Sequence, residues 1–186
     1  DKSWIVIQAI AKKRYGIDLA SQNELVFGAP PLLFKQAMSG EVDAVINFWH
    51  FLAKLEAKGF KRVVDVQDAA GELGLSAETP LLGYVFKESW ALKNPKLAEG
   101  LRQASREAKV VLKTNDAAWE PLKGLIKAKS DKEFQALRLA WRQGAPGDSF
   151  DFESAQAMFE LMRSYGDGKL IKPNTVLDTG AFFASN

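Results

Sequence analysis

The stretch Gly40-Glu41-Val42-Asp43-Ala44-Val45-Ile46-Asn47-Phe48-Trp49-His50 decides how the chain is read. Gly40 can close a helix. The run Val42 to Ile46, broken by Asp43 and Ala44, has the β-branched and apolar character of a short buried strand. It ends in an amide, two aromatics and the single histidine of the chain. A strand over 42–47 running into a helix from about 49 to 58 predicts a ligand site at the carboxyl end of a strand, where open α/β sheets place theirs. The same residues also suit a plainer reading, with Phe48 and Trp49 in a core and His50 at a solvated helix start.

Working outward, Ser3 reads as the N-cap of a helix over 3–15, with Trp4, Ile7, Ala11 and Tyr15 at helical spacing and Gly16 ending it. Leu25-Val26-Phe27 reads as a strand and Gly28-Ala29-Pro30 as a tight turn. Pro31 falls in the first turn of a helix ending at Ser39. Residues 61–66 read as a third strand, with Gly59 closing the helix before it. Strands alternating with helices predict right-handed parallel βαβ crossovers. The turns at 28–30 and 47–50, with the helix start at Ser3, would then share one sheet edge. Free N–H groups at helix starts suit a polar or anionic ligand there without an arginine. The candidate ligand residues are Ser3, Trp4, Gly28, Ala29, Pro30, Asn47, Trp49 and His50, with Phe48 beside them. Trp49 and Phe48 offer stacking faces, Asn47 hydrogen bonds, and His50 a neutral imidazole whose charge the helix dipole disfavours.

The second half differs. Residues 71–79 are polar and loop-like, and Pro80 to Phe86 reads as one more strand. Helices follow over about 95–113, over 119–129 around Pro121, from a capping box at Ser130–Glu133 to Gln143, and over 152–165. Gly144-Ala145-Pro146-Gly147 is a break, and residues 169–186 look irregular. The expected organisation is an α/β lobe over 1–78 followed by a return strand and a mostly helical portion over 79–186. The apolar face Leu101, Ala104, Ala108, Val111 and Leu112 has little in the sequence to cover it.

Composition narrows the chemistry. The 186 residues are 47% hydrophobic and 26% charged, which predicts a real core. The net charge of +2 comes from 25 basic and 23 acidic residues interspersed along the chain, a pattern unlike a nucleic-acid surface. No run of about 18 apolar residues predicts membrane insertion. The absence of cysteine excludes disulfides, thiol catalysis and cysteine-held metals. One histidine leaves no paired zinc ligands, and neither a nucleophile elbow nor a phosphate loop is present. No cofactor is expected. The chain opens on Asp1-Lys2-Ser3-Trp4 in what reads as a helix start, so it is expected to be a processed or truncated product. If truncated, its uncovered helix faces should promote self-association.

Gly-Glu-Val-Asp-Ala-Val at 40–45, the Asn-Phe-Trp-His that follows, Leu-Gly-Tyr-Val-Phe at 82–86 and Ser-Trp-Ala-Leu-Lys-Asn-Pro-Lys at 89–96 together resemble the solute-binding proteins of ABC transporters, in the nitrate/sulfonate/taurine and thiamine-precursor branch. The resemblance implies a type II periplasmic-binding-protein fold whose two α/β lobes close on a small organic ligand and then dock on a membrane permease. It implies a periplasmic location with a signal peptide removed, and no catalysis. Residues 1–78 match the second lobe and those from about 80 the return to the first, whose opening half has no counterpart here. By the same resemblance, Ser3 and Trp4 match a helix start on the hinge side, Gly28 to Pro30 the first ligand loop, and Asn47 to His50 the second. The branch also resembles thiamine-pyrimidine synthases, which would make His50 a reactive group. The fold is shared with effector-binding domains of transcription regulators, which would carry a DNA-binding segment upstream.

Overall fold

A computed structural model describes residues 2–76, 79, 82–145, 151–166, 171–172 and 175–182. Its α-helices, in chain order, are α1 (Lys2–Tyr15), α2 (Leu19–Gln22), α3 (Pro30–Ser39), α4 (Trp49–Glu56), α5 (Val66–Glu72), α6 (Glu88–Lys93), α7 (Pro95–Thr114), α8 (Lys123–Ile126), α9 (Asp131–Gln143) and α10 (Phe152–Tyr165). Short 3₁₀ turns span Ala117–Leu122 and Thr179–Ala181.

This architecture overturns the expected α/β class. Among the described residues there is no strand and no sheet, so neither the βαβ lobe nor the type II two-lobed arrangement is present. The stretches 25–27, 42–47, 61–65 and 82–86 are irregular connections, and Pro80 and Leu81 of the last lie outside the described residues. Ala29, Phe48, Asp65 and Lys87, at the ends of these stretches, are each in extended conformation. Strand propensity measures how well a side chain fits a pleated, half-buried surface. A lone extended segment has no such surface and no ladder partner, and Phe27, Val63 and Val85 stand out in solvent as a result.

The helices start and stop where side-chain chemistry dictates. Asp18, Asp65 and Asp151 each accept two backbone N–H groups of the first turn that follows them. Ser130 Oγ accepts from Glu133 N at 3.2 Å, as the capping box predicts. Gly40 closes α3 in the left-handed region at φ 74°, where a side chain would be strained. Ser3 lies inside α1 and is not its cap, because the helix already includes Lys2. Helices α5 and α6 occupy a predicted strand-to-loop region and a predicted connection. Pro121 sits within the 3₁₀ turn, and only one α turn, α8, follows it.

The chain divides into two compact units, each assembled from separated segments. The first takes residues 1–28, 62–82 and 149–186. Its core joins Val6 and Ile10 of α1, Ala69 of α5, Leu75, and Met158 of α10, with Leu161 and Met162 against them. An Arg14–Glu72 ion pair and a 2.5 Å bond from Lys13 Nζ to the Glu72 carbonyl fasten the exposed end of α1 to α5.

The second unit takes residues 29–61 and 83–148 and is built on the packing of α4 against α9. Leu55 and Phe134 are nearly inaccessible there, with Ala53 and Leu137. Trp119 reaches the same core, with ring centroids 6.5 Å from Phe134 and 5.5 Å from Trp141. Beside these apolar contacts, Lys54 Nζ lies 3.3 Å from a carboxylate oxygen of Glu133, whose side chain is only 7% exposed. The C-terminus of α7 is tied to the same region. Its Leu112 carbonyl accepts from Trp119 Nε1 at 2.8 Å and from Arg142 Nε at 3.1 Å, satisfying an end-of-helix acceptor. Arg142 and Arg138 both pair with Asp116, at 2.7 and 2.9 Å, and the Arg142 guanidinium foremost holds the Asp116 carboxyl below its ordinary pKa.

Phe134→Ala is expected to destabilise the protein by about 3–5 kcal/mol through cavity formation, read as a lowered denaturation midpoint in tryptophan fluorescence. A loss below about 1 kcal/mol would contradict this core. Lys54→Met should cost a similar ~3–5 kcal/mol by stranding a buried carboxylate, whereas Lys54→Met combined with Glu133→Leu should restore most of that loss. A double variant no more stable than the single one would show that the pair is not buried together.

Candidate functional site

The second unit brings Pro30, from one predicted ligand turn, to Asn47, from the other, at the start of α4. Asn47 forms the joint. Its Nδ2 donates to the Pro30 carbonyl at 2.9 Å, across 17 residues of chain, and its Oδ1 accepts from Phe48 N at 2.8 Å. One amide therefore binds the first residue of α3 and holds the N–H of Phe48, the residue before α4. Phe34 and Phe51, with centroids 5.5 Å apart, pack the two helices just behind that joint.

Around it stands a run of rings. His50 lies 4.5 Å from Phe51, 5.5 Å from Trp49 in an edge arrangement, and 6.0 Å from Phe48 in a stacked one, all between centroids. Phe48 and Trp49 remain 52% and 48% exposed, so each presents ring surface to solvent. Burial among these rings, and secondarily the Lys54 charge one turn on, lowers the His50 pKa below its ordinary 6.5. At neutral pH the imidazole is uncharged and carries one donor and one acceptor.

The backbone contributes less than the sequence predicts. Pro30 and Pro31 occupy the first two positions of α3 and have no N–H, and Leu32 N is already bonded to the Ala29 carbonyl at 2.9 Å. The start of α3 therefore offers no anion cradle. At α4, Phe51 N and Leu52 N turn back to the Phe48 carbonyl, leaving the N–H groups of Trp49 and His50 as outward donors. The surface is aromatic, with an amide, a neutral imidazole and the backbone donors of Trp49 and His50. It can stack a flat organic group and hydrogen-bond to its edge.

Of the residues proposed from sequence, Ala29, Pro30, Asn47, Trp49 and His50 belong to this unit. Ser3, Trp4 and Gly28 belong to the other: Ser3 and Trp4 are half-buried on α1, and Gly28 is exposed at the end of its segment. Phe34 and Phe51 were not among the proposed residues. Their signal is the α3–α4 register, which puts two helical aromatics behind the Asn47 joint. Among the described residues no three histidine, aspartate or glutamate side chains are grouped to hold a metal, and no helix is long and apolar enough to cross a membrane. Two hollows lie elsewhere in the second unit. One of about 410 Å³ is lined by Tyr84, Val85, Phe86, Lys87, Trp90 and Leu101, and one of about 330 Å³ lies around Lys123 and Ser130. At the start of α4 the Phe48 and Trp49 rings are exposed.

Compared with known protein families and with characterised proteins, the chain matches none.

Because the chain has one histidine, its imidazole titration can be followed by NMR without assignment. The midpoint should fall below 6.5, and Lys54→Gln should raise it while leaving it below 6.5, since burial is the larger cause. The folded state disfavours the charged form, so the stability linked to His50 is complete above its unfolded pKa and is lost as pH falls through its folded value. A midpoint at or above 6.5 in the unaltered protein would contradict this environment.

Proposed function

We propose that the chain is a non-catalytic binding protein that captures a small, flat organic molecule on the Phe48–Trp49–His50 surface, and that it serves as the solute-binding component of an ABC transporter, delivering that molecule to a membrane permease from the periplasm. The observation that carries the binding part is the half-exposed ring pair beside an uncharged imidazole, held in place by the Asn47 joint. Aromatic faces with a few fixed polar groups are the usual composition of a small-molecule site. The transport part is supported by the motifs at 40–50 and 82–96 and by their order along the chain. The cleft between two α/β lobes forms no part of this reading, because the sheets it needs are absent among the described residues.

The ligand class follows from charge. Among the described residues the cation that acts on His50 is Lys54, which is engaged with Glu133. A neutral or weakly polar heteroaromatic fits these groups better than a sulfonate or nitrate. The neighbours of His50 are rings and a lysine, which suits a hydrogen-bonding imidazole better than one that shuttles protons.

The test is calorimetric titration of the protein with a panel of heteroaromatic, aliphatic and sulfonate compounds. Heteroaromatics should bind, Trp49→Ala should weaken them about tenfold or more, and His50→Asn should weaken binding without creating or abolishing turnover. Binding unaffected by Trp49→Ala would remove the site from this surface. Product formation that disappears with His50→Asn would replace the receptor with an enzyme.

A further inference from the structure

We propose that α7 is a self-association helix, pairing antiparallel with α7 of a second copy of the chain. The inference stands on surface geometry alone and is independent of the ligand reading.

Helix α7 is twenty residues long, about 30 Å. Leu97, Leu101, Ala104, Ala108 and Val111 follow one another at alternating steps of four and three, the 3.5-residue period of a coiled-coil seam. All five are exposed, with Leu97 at 62%, Leu101 at 45% and Val111 at 46%. The helix rests on its own unit through a neighbouring arc, where Ala98 is buried and Ser105 and Leu112 are half-buried. Only part of its apolar arc is therefore used within the chain. Arg106 and Lys113 lie on the side away from the seam, so two seams can meet without bringing these charges together.

The seam is complementary to itself in one orientation. An antiparallel pair centred between Ala104 and Ala108 sets Ala104 opposite Ala108 of the second copy, and Leu101 opposite Val111. The alanines permit close approach at the centre. The open hollow of about 410 Å³ formed by Tyr84, Phe86, Trp90 and Leu101 then faces the second copy's Val111. Its walls are set: Tyr84 Oη lies 3.1 Å from Ser105 Oγ, and the Phe86 and Trp90 rings are 5.7 Å apart. The two-fold axis supplies the reciprocal contact, so one chain carries both the knob and the hole. A half-exposed aromatic offers roughly 100 Å². Three such rings, the five seam residues and the exposed Val85 come within reach of the ~800 Å² per partner of a standard interface. Antiparallel helices also oppose their dipoles favourably.

Sedimentation velocity over the micromolar range should show a concentration-dependent dimer. Ala108→Glu, at an exposed helical site, should raise its dissociation constant about tenfold or more while leaving the far-ultraviolet circular dichroism unchanged. Because the chain has no cysteine, a register test is clean. A mixture of Ala104→Cys and Ala108→Cys proteins should oxidise to a cross-linked dimer more completely than either protein alone. A monomer throughout the range, a dimer indifferent to Ala108→Glu, or cross-linking as complete for Ala104→Cys alone as for the mixture would each overturn the proposal.

Discussion

The second unit depends on the seating of α4 against α9. Leu55 and Phe134 supply the apolar burial, and Lys54 with Glu133 supplies the polar constraint beside it. Burial alone is non-directional and would tolerate small slides of one helix over the other. A carboxylate only 7% exposed, 3.3 Å from one ammonium, does not tolerate them, since any slide leaves a charge out of water and unmatched. Glu133 also occupies the third position of its helix, where its own N–H is held by Ser130. The start of α9 and the middle of α4 are therefore fixed to each other within one turn.

That constraint reaches the candidate site through the first turn of α4. Lys54 lies one turn beyond His50 and contributes to keeping its imidazole uncharged. At the other side of the same turn, Asn47 holds the entry of α4 to the entry of α3. The rings between these anchors are left partly in solvent while the backbone beneath them is held. An exposed aromatic on a fixed backbone loses little freedom when it stacks on a ligand, which favours binding over a mobile loop of the same composition. The two prolines at the start of α3 remove backbone donors from this surface. Neither proline can offer an N–H group to an anion, and Leu32 N is already bonded to the Ala29 carbonyl.

Helix α7 shows the opposite economy of burial. Its C-terminal carbonyl at Leu112 is satisfied by Trp119 and Arg142, so its end is well anchored. Its long apolar arc is nevertheless covered only in part, and Leu97, Leu101 and Val111 remain in solvent. Anchoring by polar contacts at one end and an uncovered seam along the side make α7 a rigid, presented surface.

Much of the helical framework was legible in the sequence. Gly40 and Gly59 as helix closers, proline at the start of α3 and α7, Ser130 as a cap, and the spans of α1, α7, α9 and α10 follow from capping chemistry and periodicity, which act within one turn of the chain. The expected meeting of the 28–30 and 47–50 turns with Ser3 on one sheet edge rested on a sheet that is absent among the described residues; Asn47 instead joins Pro30 with one amide. Helix α5 was missed because Val63 to Val66 reads as a strand, while the Asp65 that caps the helix lies inside that same run. Among the described residues no sheet forms, against the expectation. Val42 to Ile46, Leu25 to Phe27 and Val85 carry strand propensity, and Ala29 and Phe48 at the ends of two of these stretches are extended. Whether an extended segment becomes a strand depends on a second segment lying beside it at hydrogen-bonding distance. The sequence by itself determined where helices begin, end and present apolar faces, because those preferences are local. Only the tertiary structure decided which faces met, because pairing between distant segments is settled by which of them are brought side by side, and within each unit helices pack with helices while the described extended stretches form no ladder.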